Sequence, residues 1–130
     1  MKMLKRNIQI YFIERSDEMV EQGIGLGISD FKMIRLRNNY YIDKTMYIKD
    51  IIDNQSGVIL ITRPRRFGKT LNMSMLKYYF DCRQKDNKEL FNGLKIMEQE
   101  EEYTSKLGAY PVIYLTLKDV NDNTYEKMLL

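Results

Sequence analysis

The sequence predicts an α/β fold in which a parallel sheet is flanked by helices. Two apolar segments, Val58–Thr62 and Tyr110–Leu117, have the length and composition of strands. The first contains four consecutive apolar residues, three of them β-branched, and strands buried on both faces belong to parallel sheets covered by helices. Between them lies a broad apolar stripe at helical spacing, which indicates a helix packed between the sheet and another element. Its residues are Leu71, Met75, Leu76, Tyr78, Tyr79 and Phe80.

The N-terminal region differs from the rest. Residues 1–22 form a poorly defined extension in which "NIQIYFIERS" suits either a short strand or a fraying tail, whereas residues 23–130 form the start of one domain. Glycines at positions 23, 25 and 27 resemble a dinucleotide fingerprint, but Ile28 stands where G-x-G-x-x-G needs its third glycine. We therefore predict a flexible joint that ends in a tight turn.

Two short helices are predicted before the first strand. Ser29 is a suitable N-cap for a helix that runs to about Leu36, with Asp30 in its first turn. The extended piece "NNYYID" separates it from a second helix, which Thr45 can cap and "NQSG" ends. One apolar face of that second helix is formed by Tyr47, Ile48, Ile51 and Ile52.

The region after the third helix is mostly polar. One helical turn is predicted at Glu89–Phe91, and the acidic run Glu98–Glu102 suits a solvated helix face or loop. Pro111 stands at the start of the second strand, where a missing N–H is tolerated. Asn123 or Thr124 caps a final amphipathic helix in which the sequence stops, so we expect the chain to be truncated. The apolar face of that helix is Tyr125, Met128 and Leu129.

Composition limits the possible functions. The chain has 130 residues, enough for one domain or part of a larger one, with 44% hydrophobic and 30% charged residues, as in globular proteins. No apolar run approaches the roughly 20 residues that span a bilayer, and the N-terminus lacks the features of a signal peptide. We therefore expect a cytoplasmic protein with no membrane partner.

Residue counts exclude several chemistries. Cys82 is the one cysteine and histidine is absent, so an intrachain disulfide, the usual zinc sites and Ser-His or Cys-His nucleophile pairs cannot form. Cys82 is expected to be an inert thiol in a reducing compartment. The net charge of +3 does not by itself indicate nucleic acid.

The stretch "GVILITRPRRFGKTLNMSML" has the order strand, tight loop and helix that a phosphate loop requires. Gly68 permits close approach of the backbone to a phosphate, Lys69 supplies a charge for the β and γ phosphates, and Thr70 supplies a hydroxyl for Mg²⁺. Gly-Lys-Ser/Thr alone should occur in roughly one chain in fifteen of this length. A chance occurrence is much less probable when a predicted strand precedes these residues and an amphipathic helix follows them.

The loop departs from G-x-x-x-x-G-K-[ST] because Arg63 occupies its first position. Pro64 can shape the turn instead, since it fixes φ and favours an extended residue before it. The cationic loop suits a nucleotide of charge about −4, although a nucleic-acid-binding turn or a solvated basic loop is an alternative. We expect one arginine to face the phosphates and the others to face solvent, a subunit or another domain. The predicted site comprises Arg63, Pro64, Arg65, Arg66, Phe67, Gly68, Lys69 and Thr70.

Four blocks together resemble the AAA-ATPase-like domain family, over Gly27 to about Asp119. They are "GISDFKMIRLRNNYYIDKTMYIKDII", "VILITRPRRFGKTLNMSMLKYYF", "ELFNGLKI" and "YPVIYLTLKDV". The "RPRRFGKT" form is typical of that family. The resemblance implies a P-loop NTPase fold that binds ATP with Mg²⁺, with Gly68-Lys69-Thr70 as the Walker A residues. Tyr41–Thr45 matches a segment that forms an adenine-side wall in related ATPases, and a capped helix start is the alternative.

The family also carries a second acidic motif, an apolar strand ending in Asp-Glu. Asp119 follows an apolar strand, but Lys118 before it and Val120 after it argue against that assignment. We therefore expect this chain to be the N-terminal part of a P-loop ATPase domain that binds ATP but does not hydrolyse it efficiently alone. Members often carry a C-terminal restriction-endonuclease-like domain, absent here, which makes nucleic acid and an oligomer conceivable partners. The alternative is a non-hydrolysing interaction or nucleic-acid-binding module that uses Arg63–Arg66.

Overall fold

The computed structural model describes residues 9–10, 22–83 and 85–116. Two short strands, β1 (Gln9–Ile10) and β2 (Gln22–Gly23), pair antiparallel with Gln9 opposite Gly23. The helices that follow are α1 (Phe31–Leu36), α2 (Met46–Asp53), α3 (Lys69–Phe80) and α4 (Glu101–Thr104), with two 3-10 helices, Lys85–Phe91 and Lys95–Glu98, between α3 and α4. No helix among the described residues has the length and apolar character needed to cross a membrane.

Helix α3 is the centre of the hydrophobic core, as its apolar stripe predicts. Met75 and Tyr79 are completely buried, and the Tyr79 ring lies 5.1 Å from the ring of Phe91. Phe31 of α1 is also fully buried, with its ring centroid 5.0 Å from that of Phe91. Because aromatic rings contribute large apolar areas, this cluster dominates the packing. The remaining buried core residues are Ile48, Tyr78, Leu90, Leu94, Ile96 and Tyr103.

The start of α1 is capped by Asp30 and not by Ser29, so the predicted cap is one residue early. The Asp30 carboxylate accepts the N–H of Met33 at 2.9 Å and the hydroxyl of Tyr78 at 3.0 Å. A carboxylate has two oxygens and can therefore cap α1 and hold α3 at the same time. The predicted end of the helix at Leu36 is confirmed.

Ser74 makes a second connection between α1 and α3. Its hydroxyl oxygen accepts the N–H of Phe31 at 2.8 Å and donates to the Leu71 carbonyl at 2.8 Å. The side chain is buried and fully used in these bonds. A first-turn N–H of α1, which has no partner inside its own helix, is thus satisfied by a residue 43 positions away.

Thr45 precedes α2 as predicted, but its side chain does not cap the helix. Its N–H and hydroxyl both donate to Asp43, at 2.8 and 2.6 Å, and its oxygen accepts the N–H of Ile96. Asp43 also accepts the N–H of Lys95 at 2.8 Å. Burial acts to raise the pKa of Asp43, but the hydrogen bonds from Lys95 and Thr45 outweigh it and lower the pKa. The turn therefore attaches α2 to the second 3-10 helix.

The burial predicted for the first apolar segment is not found, and neither segment lies in a described sheet. Val58 and Leu60 are 86% and 84% exposed, and Val58–Thr62 has no strand assignment. Ile113 and Leu115 are 88% and 83% exposed, and the second segment makes one isolated parallel bridge, from Tyr110 to Asp81. A strand needs hydrogen-bonded neighbours on its edges, and no described segment lies in a ladder beside Val58–Thr62. The parallel sheet stays a prediction.

Several smaller predictions are confirmed. The glycine segment ends in a tight turn in which Gly27 has φ 77° and the Ile28 N–H donates to the Gly25 carbonyl. The turn predicted at Glu89–Phe91 is part of the first 3-10 helix, and the acidic run opens α4 with exposed Glu101 and Glu102. The predictions for the rest of the extension, for Asp119 and for the final helix lie outside the described residues.

An ion pair at the end of α3 predicts a measurable pH dependence. Asp81 is buried and accepts two hydrogen bonds of 2.8 Å from the guanidinium of Arg83, which lower its pKa to about 2. A carboxyl group whose pKa is lowered on folding stabilises the protein above its unfolded pKa, and this is lost as pH falls through the folded value. We expect the free energy of unfolding to decrease between about pH 5 and pH 2.

Urea denaturation across that pH range, for the wild-type chain and Asp81→Asn, measures this contribution. The variant should be less stable near neutral pH and should show a shallower decrease below about pH 5. The pKa of Asp43 is lowered as well, so the free energy of unfolding of the variant should still decrease to some extent as the pH falls. Parallel curves for the two proteins would contradict the assignment to Asp81.

Candidate functional site

The predicted phosphate loop follows Val58–Thr62, here called the extended segment, and leads into α3. Helix α3 begins at Lys69 as expected. Gly68 is left-handed, with φ 73° and ψ 21°, and Arg66 is left-handed with φ 68°. A Cβ added at Gly68 would meet no atom within 4 Å, so this position requires glycine for its conformation and not for space. Two left-handed residues within three positions turn the chain sharply into the helix.

Lys69 closes the loop. Its ammonium group donates a 2.6 Å hydrogen bond to the backbone carbonyl of Arg63, six residues earlier. The bond uses only the backbone carbonyl of position 63, which every residue type has. The backbone of Arg63 does not have a positive φ. The conformational freedom of glycine is therefore not needed at the first position, and Arg66 has the left-handed conformation instead. The arginine that departs from the glycine pattern thus fits the loop without strain.

The N-terminus of α3 lacks a side-chain cap. Its first-turn N–H groups have no partners inside the helix, and the helix dipole places partial positive charge there. Thr70 is exposed on this first turn, together with Lys69. An uncapped helix start next to a lysine and a hydroxyl matches the chemistry of an anion that brings a metal ion with it.

A cleft of about 670 Å³ adjoins the loop, between the start of α2, the extended segment and α3. Within the described part of the chain, its charged lining residues are Lys44, Arg63 and Lys69, with no carboxylate among them. Arg65 and Arg66 are exposed and are not part of the lining. Of the three arginines, Arg63 is therefore the one that faces the cleft. The other lining residues are Met46, Tyr47, Ile59, Ile61, Phe67, Asn72 and Met73.

A smaller cavity of about 240 Å³ lies against Gly68 and Leu71. Apart from Lys44, its walls are uncharged, with isoleucines of the glycine segment and α1 opposite Tyr40, Tyr41 and Ile42. The Tyr41 hydroxyl contacts the Met75 sulfur at 3.3 Å, and burial raises the pKa of Tyr41 to about 12. The segment Tyr41–Thr45 thus has two roles, because Tyr41, Ile42 and Lys44 line cavities whereas Asp43 and Thr45 hold the backbone.

Two residues outside the predicted phosphate loop line both cavities, and one of them, Lys44, belongs to the predicted wall segment Tyr41–Thr45. The other is Asn72, and the side-chain oxygen of Asn72 is buried without a hydrogen-bond partner in the described structure. Asn72 is three residues after Lys69, which places both on one helix face, so the sequence contained a signal for it. For Lys44 the signal was the resemblance of Tyr41–Thr45 to a wall segment of related ATPases.

The chain is similar to a described family and to a known protein. A family model described as "Predicted AAA-ATPase" matches residues 25–129, which include the whole loop and every lining residue of the large cleft. A protein of Azotobacter chroococcum mcd 1, "Uncharacterized protein in vnfD 5'region", is 34% identical over 82 residues. The aligned region covers 62% of this chain and 15% of that protein, so the chain spans a small part of its relative. No solved structure matches the chain.

Proposed function

Because the chain belongs to the predicted AAA-ATPase family, we propose that it binds ATP with Mg²⁺ through the loop Arg63–Thr70. The observation that supports this most is the geometry of Gly68 and Lys69 at the uncapped start of α3. A left-handed glycine, a lysine held over the loop and free first-turn N–H groups are the parts that a phosphate chain requires. The residues present therefore fit the nucleotide.

Each loop residue has a role in this proposal. The first-turn N–H groups of α3 donate to phosphate oxygens, and Lys69 neutralises their charge. An ammonium group has three donors, so Lys69 can keep its bond to the Arg63 carbonyl while it contacts a phosphate. Thr70 supplies a hydroxyl ligand to Mg²⁺, which usually takes few protein ligands and completes its shell with phosphate oxygens and water. Arg63 contributes a further positive charge at the cleft.

We also propose that the two apolar segments are strands of a parallel sheet. The exposure of their side chains alternates, which supports this. In the first segment, Ile59 and Ile61 line the cleft, whereas Val58 and Leu60 are exposed to solvent. In the second segment, half-buried residues alternate with the exposed Ile113 and Leu115. This period of two is that of a strand with one covered face. A protein as long as the Azotobacter relative has enough residues to supply the neighbouring strands.

For such a longer protein, the family description supports extending the proposal to ATP hydrolysis. Hydrolysis requires a group that orients the attacking water, in addition to the phosphate loop and Mg²⁺. A restriction-endonuclease-like domain with nucleic acid as its partner, an oligomeric assembly and a cytoplasmic location are proposals for that longer protein only.

A second candidate function follows from the exposure of Arg65 and Arg66. Both side chains project from the loop without lining the cleft, and neither forms an ion pair among the described residues. Exposed cations of this kind suit the phosphates of a nucleic acid or an acidic protein surface. The alternative is therefore an interaction module in which the basic loop binds a macromolecule and not a nucleotide.

Ligand-linked stability distinguishes the two candidates. Urea denaturation of the chain with and without ATP·Mg²⁺ should show an increase in the free energy of unfolding, of roughly 2.7 kcal/mol at a ligand concentration of 100 times Kd. Nucleotide binding is contradicted if ATP·Mg²⁺ at millimolar concentration leaves the transition unchanged. The macromolecular alternative is favoured if DNA binds instead, with a salt dependence that becomes weaker in Arg65→Ala.

A further inference from the structure

Lys44 is the charged residue that the two cavities share. It lines the large cleft together with Arg63 and Lys69, and it lines the small cavity together with Gly68. It therefore lies close to the start of α3 although it precedes Lys69 by 25 positions in the sequence. Among the described residues, three cations and no carboxylate line this cleft, so the charge of that lining is positive although the chain has 21 basic and 18 acidic residues.

The backbone of Lys44 is fixed on both sides. Asp43 accepts the N–H groups of Thr45 and Lys95, and the completely buried Thr45 accepts the N–H of Ile96. The carbonyl of Lys44 itself accepts the N–H of Tyr47 at 3.0 Å. The position from which the side chain projects is thus held by bonds to two other elements, α2 and the second 3-10 helix.

The side chain of Lys44, in contrast, has no partner. It is exposed and forms no ion pair or hydrogen bond among the described residues. Three cations around one cleft create a positive potential that attracts an anion, and Lys44 contributes one of them from a fixed backbone position. Asn72, the other residue common to both cavities, has a buried oxygen without a donor, so this region lacks hydrogen-bond partners as well as negative charge.

We propose that Lys44 is a phosphate-binding residue, which contacts the phosphate chain of the nucleotide from a segment outside the loop. This rests on the proposed function, since it assigns a further cation to the same ligand. The electrostatic attraction grows with the charge of the ligand, so Lys44 favours nucleoside triphosphates over diphosphates. In this arrangement the backbone N–H groups and Lys69 contact the phosphates from the loop, and Lys44 contacts them from the segment before α2.

Isothermal titration of the chain with ATP·Mg²⁺ and ADP·Mg²⁺ tests this proposal. Lys44→Gln should weaken ATP binding by about tenfold, the range of one charge-assisted hydrogen bond, and should weaken ADP binding less. Lys44→Arg should retain most of the ATP affinity because it retains the charge. The matched control is Lys88→Gln, which changes an exposed lysine of the first 3-10 helix that lines neither cavity.

The outcomes separate this proposal from the function on which it rests. Equal affinities for Lys44→Gln and Lys88→Gln, with binding lost in Lys69→Ala, would overturn the role of Lys44 and leave the phosphate loop intact. An equal loss for ATP and ADP that arginine does not rescue would indicate a packing role for Lys44 and would also overturn the proposal. No binding of either nucleotide to the wild-type chain would overturn both.

Discussion

A chain carrying Lys69→Ala is expected to lose about a hundredfold or more of its affinity for ATP·Mg²⁺. The ammonium group of Lys69 closes the loop, through its 2.6 Å bond to the Arg63 carbonyl, and Lys69 also lines the cleft. A hydrogen bond to a charged group contributes about 1.5–3 kcal/mol, and the ammonium group can make more than one to a phosphate chain. Isothermal titration of wild type and variant measures the change.

The stability of the variant separates loss of binding from loss of fold. Lys69 is exposed at the start of α3, and alanine has the highest helix propensity, so the urea transition without ligand should move little. Lys88→Ala removes the same charge from an exposed position away from the loop and should bind ATP like the wild type. Nucleotide affinity that is equal in Lys69→Ala and Lys88→Ala would contradict the assignment.

Phe31→Ala is expected to cost about 3–5 kcal/mol of the free energy of unfolding. The Phe31 side chain is completely buried, with its ring 5.0 Å from Phe91 and 5.3 Å from Tyr41. Truncation leaves a cavity where α1, α3 and the first 3-10 helix meet, and backbone bonds such as that to Ser74 prevent its collapse. Since the whole free energy of unfolding of a native protein is only about 5–15 kcal/mol, this loss should be evident in urea denaturation.

Leu36→Ala is the matched control on the same helix. Leu36 is 65% exposed, so its truncation should change stability by no more than about 0.5 kcal/mol. Equal effects at the two positions would mean that α1 does not pack on α3 through Phe31.

The features that could be predicted from the sequence are local ones. The stripe that includes Met75 and Tyr79 has helical spacing, which is independent of distant residues, and its burial is confirmed. The start of α3 at Lys69 follows from Gly68, which few other residues can replace at φ 73°.

The features that could not be predicted depend on residues far apart in sequence. Ser29 and Asp30 are both good caps, and the bond from Tyr78 to Asp30 favours the second. Thr45 bonds to Asp43 and Ile96 in preference to capping α2. The exposure of Val58 and Leu60 has the same origin, because the burial of a strand is decided by its neighbours and not by its own composition.

The loop itself illustrates how structure changes the interpretation of one residue. From the sequence, Arg63 is a departure from the glycine that opens a phosphate loop. In the structure only its carbonyl contacts Lys69, while the left-handed conformation is found at Arg66 and Gly68. The departure at position 63 therefore leaves the closure of the loop unaffected.

The central claim is that the N–H groups at the start of α3 bind phosphate. The most direct measurement is the change in backbone amide chemical shifts on titration of the isotope-labelled chain with ATP·Mg²⁺. We expect saturable shifts concentrated at residues 67–71, with smaller ones at Lys44 and Arg63. Shifts that leave residues 67–71 unchanged while others respond, or no response at millimolar nucleotide, would contradict it.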